Sequence, residues 1–169
     1  MVEVTVSRLG LDASSSAFVV VLEDKAGERA LPIWIGRPEA EAIAAHINGV
    51  KRERPMTHDL AQQIVLGLGG LLRRVQVTHV QDGTYHAELH LTRGGQPVIV
   101  DARPSDAIAL ALRLQAPIFV AESLFSDDAE EEFKPGDARA GGEDDHLSGE
   151  ELKRHLAQLR PEDFGRFTP

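Results

Sequence analysis

Four of the nine prolines in this 169-residue chain follow an arginine, at Arg37-Pro38, Arg54-Pro55, Arg103-Pro104 and Arg160-Pro161, and each pair has a carboxylate a few residues downstream. The densest stretch sets Asp101, Arg103, Ser105 and Asp106 between the apolar run Val98 to Val100 and the apolar segment Ala107 to Leu114. Phosphate is attracted to the free amides of a helix start and to guanidinium groups, while neighbouring carboxylates can hold a divalent cation. Arg54, His58, Asp59, Asp101, Arg103, Ser105 and Asp106 are therefore the inventory of a phosphodiester-cleaving site, provided that the helix starts converge. His58 would trade protons near neutral pH, a pair of aspartates would bind Mg²⁺ or Mn²⁺, and Arg54 or Arg103 would face the charge on phosphorus. A local reading stands beside this one. Proline at the start of a helix removes an amide that would go unpaired, and Glu39, Asp59, Asp106 and Glu162 each complement the positive end of a helix dipole. The spacing of these residues matches no recognised metal-ligand signature.

The elements that must position them follow from periodicity. Val2 to Leu9 alternates, Phe18 to Leu22 is continuously apolar, and Ala30 to Ile35 is apolar after the turn residues Asp24 to Gly27, which predicts three strands. Gly36-Arg37-Pro38 opens a helix with Ala40, Ile43, Ala44 and Ile47 on one face, ending at Asn48-Gly49. A second helix is expected from an N-cap at Thr57 to about Leu68, with Leu60, Ile64 and Leu68 as its buried stripe. Leu72 to Val80 and Thr84 to Thr92 form a hairpin. A two-residue loop there would set Val77 opposite Glu88, whereas a three-residue loop, Gln81-Asp82-Gly83, pairs Val77 with Ala87 and Val75 with Leu89, and the latter is expected. Val98 to Val100, the apolar helix and Ile118 to Val120 make a strand, helix, strand unit, with the helix buried because it is apolar nearly all round. The whole predicts an α+β domain built on a mixed sheet, with strand hairpins, two consecutive helices and one buried crossover helix.

Other chemistry is weakly represented. His86 and His90 lie four residues apart on one strand face, roughly 13 Å, too far to share a metal, and are expected to be solvated. Ser14, Ser15 and Ser16 lack the context of a nucleophile and read as a turn. Trp34, in an apolar run, is expected in the core or at an interface. No phosphate-binding glycine motif is present, because Gly67, Gly69 and Gly70 follow a helix rather than precede one.

Composition bounds the rest. The chain has no cysteine, which excludes disulfides and thiolate chemistry, and no apolar run long enough for a transmembrane helix, so no membrane association is expected. Met1-Val-Glu-Val enters a strand pattern directly, which leads to the expectation of a cytoplasmic protein. Residues 127–151 hold eleven acids against Lys134 and Arg139, whereas residues 1–125 hold fourteen acids and twelve bases, so the net charge of -9 is concentrated in one segment. The expected organisation is a domain over residues 1–125, an acidic linker over 126–147, and a short helical tail over 148–169. In that tail Ser148 and Glu151 have capping-box spacing, and Leu152, Leu156 and Leu159 form a narrow apolar stripe.

Three motifs, LPIWIG with Glu39-Ala40, RPMTHDL at 54–60 and DARPSDAIALALR at 101–113 with API at 116–118, resemble the bifunctional nuclease domain family, and the resemblance covers about residues 1–125. It implies an α+β domain that tends to form homo-oligomers and, by likeness to plant members, nuclease activity on RNA and DNA. The motif positions then become candidates. His58, Asp59, Asp101 and Asp106 are candidates for catalysis, and Arg54, Thr57, Arg103 and Ser105 for substrate binding. Glu39, Asp59, Asp101 and Asp106 are the candidates for a Mg²⁺ or Mn²⁺ site; no organic cofactor is expected. The competing expectation is a non-catalytic ligand-binding or regulatory oligomeric module, in which the Arg-Pro and Asp motifs fix helix ends.

Overall fold

The structure, a computed structural model, describes residues 1–12 and 17–125. The turn expected at Ser14 to Ser16, the acidic linker and the C-terminal helix lie outside the described residues. In chain order the elements are β1 (Val2–Asp12), β2 (Ala17–Asp24), β3 (Ala30–Ile35), α1 (Arg37–Ile47), α2 (Thr57–Gly67), β4 (Gly70–Gln81), β5 (Thr84–Arg93), β6 (Gln96–Ala102), α3 (Pro104–Leu114) and β7 (Ile118–Val120), followed by a 3-10 turn at Glu122–Leu124. The strands form one mixed sheet in the order β3-β2-β1-β7-β4-β5-β6. Only β4 and β7 run parallel; the other described neighbours are antiparallel. This is the expected α+β architecture.

The crossover from β6 to β7 must pass over β5 and β4, and α3 packs on both. Its all-round apolar sequence suits that position, since Pro104, Ser105 and Ala107 to Ala111 are buried. Alanines at 107, 109 and 111 are fully buried, small side chains on a helix that packs against α1 and α2 as well as the sheet, while Ile108 joins Val20, Leu22, Val75, Val77 and Val120 in the core. α1 packs beside α3 through Ala40, Ile43 and Ala44, as its sequence face predicts.

The hairpin register is Val75 with Leu89, Gln76 with Glu88 and Val77 with Ala87, as expected, but the loop is not. Gln81 pairs with Thr84, which leaves a two-residue loop of Asp82 and Gly83, both at positive φ (50° and 72°), and the extra residue sits instead at a bulge between Val77 and His79. Two left-handed residues match the strand twist that a tight hairpin requires, so the register correction moves into the strand.

Two further expectations, both about α2, are overturned. The N-cap of α2 is Met56, and Thr57 is its first helical residue; the Asp59 carboxylate accepts the Met56 amide at 2.9 Å and supplies the cap. α2 has no buried residue, and Leu60, Ile64 and Leu68 point outward, because its inward edge is committed to His58, Asp59, Ala61 and Gln62. For Trp34, expected in the core or at an interface, the structure removes the first alternative only: it is exposed on the edge strand β3. No helix among the described residues is long and apolar enough to cross a membrane.

Candidate functional site

Glu39, Asp59 and Asp106 occupy the same position, the third residue, of α1, α2 and α3, counted from the N-caps Gly36, Met56 and Arg103. The first turns of all three helices line one cleft of about 440 Å³, which brings together Pro38, Glu39, Thr57, His58, Asp59, Arg103 and Asp106. The convergence on which the sequence argument depended is therefore present.

Each carboxylate also has a cationic partner. Arg103 bridges two helices, donating from Nε to Asp106 Oδ2 at 2.8 Å and placing a terminal nitrogen 2.8 Å from Glu39 Oε1. Gly36 makes room for this arrangement, because a Cβ there would fall onto the Glu39 carboxylate. Asp106 uses its other oxygen on His58, with Oδ1 2.9 Å from Nε2. Burial pushes the Asp106 carboxyl up, but the bonds from Arg103 and His58 and their charges outweigh it, so it lies below the ordinary carboxylate range. Arg103 in turn is held protonated by its bond to Asp106 and the nearby charges of Asp106 and Glu39.

Asp59 is paired differently. Arg113 is the one charged side chain in the apolar part of α3, and only 5 % of its side chain is exposed. Its Nε donates to Asp59 Oδ1 at 2.7 Å, one terminal nitrogen to the Ala109 carbonyl at 3.0 Å and the other to the Ala42 carbonyl at 3.1 Å. Gln62 completes the junction by donating to the Arg113 carbonyl at 2.9 Å. One guanidinium thus ties α1, α2 and α3 together. Burial raises the Asp59 carboxyl, and the Arg113 bond, the Met56 amide and the charges of Arg113 and His58 bring it below its usual value. His46, on the cleft wall formed by α1, is pushed down by burial and by the Arg113 charge, which favours the neutral ring.

Some expected residues do not join. Asp101 is exposed on β6 opposite Glu88, on the sheet face away from Ala87 and Leu89, and takes no part in the cleft. Ser105 is buried behind the first turn of α3. Arg54 is exposed outside the cleft, whose lining includes Arg52 instead. His86 and His90 are not simply solvated: His86 stacks on His79 with ring centroids 4.6 Å apart, and His90 Nε2 lies 2.9 Å from Glu88 Oε2. Arg113, His46 and Arg52 were missed. Arg113 alone left a signal in the sequence, a lone charge where helical spacing from Ala109 calls for burial.

The described residues contain no group of three histidines or acids placed to hold a metal ion. Glu39, Asp59 and Asp106 already neutralise arginines, and Asp101 is remote, so the carboxylates do not fit a preformed Mg²⁺ or Mn²⁺ site. What the cleft offers is a histidine oriented by a carboxylate beside the exposed guanidinium of Arg103.

Comparison with known proteins shows the family. Residues 20–132 match the bifunctional nuclease domain. The chain belongs to that family. An uncharacterised protein of Mycobacterium tuberculosis is 37 % identical over 97 % of this chain and 98 % of its own length. Bifunctional nuclease 2 of Oryza sativa is 31 % identical over 90 % of the chain, and bifunctional nuclease 2 of Arabidopsis thaliana is 35 % identical over 66 %. The plant proteins are longer, and the match spans 49 % of the rice protein and 35 % of the Arabidopsis protein. The bifunctional nuclease domain here thus has its three helix starts, the His58-Asp106 pair and the Arg103 bridge within the matched segment.

Proposed function

We propose that the cleft between the three helix starts hydrolyses phosphodiester bonds of RNA or DNA. The observation that carries this reading is the His58-Asp106 pair beside Arg103. If Asp106 accepts the proton on Nε2, the basic nitrogen of His58 is Nδ1, and the carboxylate both orients the ring and stabilises the imidazolium that forms when a water is deprotonated. That water adds to phosphorus, the ester oxygen leaves with a proton returned by the imidazolium, and the products are a phosphate monoester and an alcohol. Arg103, with two thirds of its side chain exposed, is placed to hold the phosphate oxygens. A divalent metal would have to displace Arg103 or Arg113 from their carboxylates, so the proposed step uses the protein's own groups. Kinship to the plant bifunctional nucleases supports the substrate class.

One observation favours the second reading, a non-catalytic binding module. The cleft lining has one acid more than it has arginines, with Glu39, Glu41, Asp59 and Asp106 set against Arg52, Arg103 and Arg113, and such a wall gives polyanions no long-range attraction. Cleavage of labelled single-stranded RNA and duplex DNA by the purified full chain separates the two. His58→Gln is expected to lower the rate about 100-fold or more, with activity persisting in chelator. Equal residual cleavage in both proteins identifies a contaminant and leaves the binding module. Strict dependence on Mg²⁺ or Mn²⁺ would return the carboxylates to metal binding and refute the proton-transfer step.

A further inference from the structure

Strand β6 stands at one edge of the sheet and, among the described residues, pairs only with β5. Val98 is 42 % exposed, Ile99 60 % and Val100 43 %, the one place in the described surface where three consecutive large hydrophobic residues are uncovered. Because neighbours along a strand point to opposite sides, both faces of β6 are open. The other edge is built differently: in β3, Leu31, Pro32 and Ile33 are buried, and Pro32 leaves one donor out of the strand. An open, apolar, β-branched edge is a template for another strand.

The β5-β6 hairpin fixes which backbone groups that edge presents. Its two-residue loop, Gly94-Gly95, makes Arg93 and Gln96 the closing pair, and pairing continues without a bulge to Ala87 with Ala102. The closing pair of such a loop exchanges both of its hydrogen bonds, so Gln96, Val98, Val100 and Ala102 turn their amides and carbonyls to β5, while Pro97, Ile99 and Asp101 turn theirs outward. We propose that this edge pairs antiparallel with β6 of a second copy of the chain, with Ile99 on the twofold axis. Ile99 then exchanges hydrogen bonds with the partner's Ile99, and the Asp101 amide donates to the carbonyl of the partner's Pro97. Val98 lies opposite the partner's Val100 on the face shared with Leu89 and Leu91, and the two Ile99 side chains meet on the other face.

The strand is complementary to itself in this register and poorly so in its neighbours. An axis at Asp101 would oppose two carboxylates, and one at Pro97 would oppose two residues without a donor. An axis at Val100 would set Ile99 against the partner's Asp101, and one at Val98 would run Asp101 onto the partner's Gly95 turn. Only the Ile99 axis gives each exposed apolar side chain of β6 an apolar counterpart. A twofold contact of this kind uses the same edge of both copies and closes at a dimer, so the open strand does not propagate into a fibre. β6 leads through Ala102 directly into Arg103, which puts the joint between copies next to the cleft.

The chain has no native cysteine, so a single introduced one reports on this contact alone. In the full chain, Ile99→Cys is expected to form an interchain disulfide under mild oxidation at least about tenfold faster than Asp101→Cys. Directly opposed residues have Cα atoms about 5.5 Å apart, within disulfide reach, whereas this register offsets the two copies of position 101 by four residues, roughly 13 Å along the strand. Both positions are exposed, so neither change perturbs the core. Equal rates overturn the proposal. In sedimentation, the wild type is expected to be dimeric at about 100 µM, and Ile99→Lys to weaken association at least tenfold while keeping the wild-type circular dichroism spectrum. A monomeric wild type at that concentration overturns the proposal and leaves the edge to an extended segment of a different protein. A dimer that Ile99→Lys leaves intact also overturns it and moves the interface to another face.

Discussion

Replacing Arg113 by methionine keeps most of the aliphatic stem, and with it the packing inside α3, but removes the guanidinium that joins three helices. Removing one partner of a buried ion pair costs about 3–5 kcal/mol when the other charge is left uncompensated. Asp59 keeps 35 % of its side chain exposed and can draw in water, and it retains the Met56 amide as a partner, so the cost is discounted to about 2–3 kcal/mol. For a domain of this size that lowers Tm by about 10 °C. Urea unfolding of the full chain, followed by circular dichroism, measures it directly. The second arm is the double variant Arg113→Met/Asp59→Asn, in which the stranded charge is gone while an acceptor for Met56 remains. It is expected to lose less than the sum of the single changes by about 1 kcal/mol or more. A loss below about 0.5 kcal/mol for Arg113→Met, or strict additivity, would refute the view that this guanidinium holds the helix layer together.

The contrasting change, Arg103→Gln, removes a bridge whose arginine is largely exposed, and is expected to cost less than about 1 kcal/mol in the same assay while lowering any phosphodiesterase activity. Asp101→Asn, on the other face of the sheet, is expected to leave both stability and cleavage unchanged. Asp24→Asn is expected to destabilise more than Arg103→Gln, because Asp24 is buried and accepts from Arg29 and from the amides of Glu28 and Arg29 at the β2-β3 turn. The pH dependence of stability has two components of the same sign. Asp24, Asp59 and Asp106 bind fewer protons folded than unfolded, so their contribution is present above the ordinary value of 3.8 and is lost as pH falls through their lowered folded values. His46, also lowered, contributes above 6.5 and loses that contribution as pH falls through its folded value. Melting curves across pH 3 to 8 should therefore show a shallow loss beginning below about 6.5 and a steeper one in strong acid. A Tm that rises on acidification between those limits would contradict both assignments.

Much of this was legible in the sequence because it depends on local rules. The alternation in β4 and β5 fixed which residues pair, and the apolar circumference of residues 107–114 required burial on both sides. The shared placement of Glu39, Asp59 and Asp106 in first turns was visible as a pattern of helix starts, though not their meeting in one cleft, which depends on how α1, α2 and α3 pack. The face of α2 was misread because a stripe of leucine and isoleucine marks an apolar side without saying what will cover it. The small inward residue Ala61 and the polar Asp59 and Gln62 carry little hydrophobic signal, yet the bonds of Asp59 and Gln62 to Arg113 decide the rotation of the helix. The hairpin shows a related limit. Side-chain pairing reported the register correctly and could not distinguish an extra residue in the turn from one in the strand.

The three-residue strand β7 lies between β1 and β4, where it joins the meander β3-β2-β1 to the meander β4-β5-β6. Both meanders are complete in sequence before β7 is synthesised, so a nascent chain carries two half-sheets, each with an unpaired edge, until residues 118–120 arrive. Their insertion closes the sheet by pairing the beginning of the chain with its last described strand. Folding is thus committed late and over long sequence separation, the circumstance in which assembly is slow and open strand edges are exposed to other chains. A chain truncated before Ile118 would hold two strand meanders that lack the strand joining them, and the shortest segment in the sheet decides whether this domain becomes one unit.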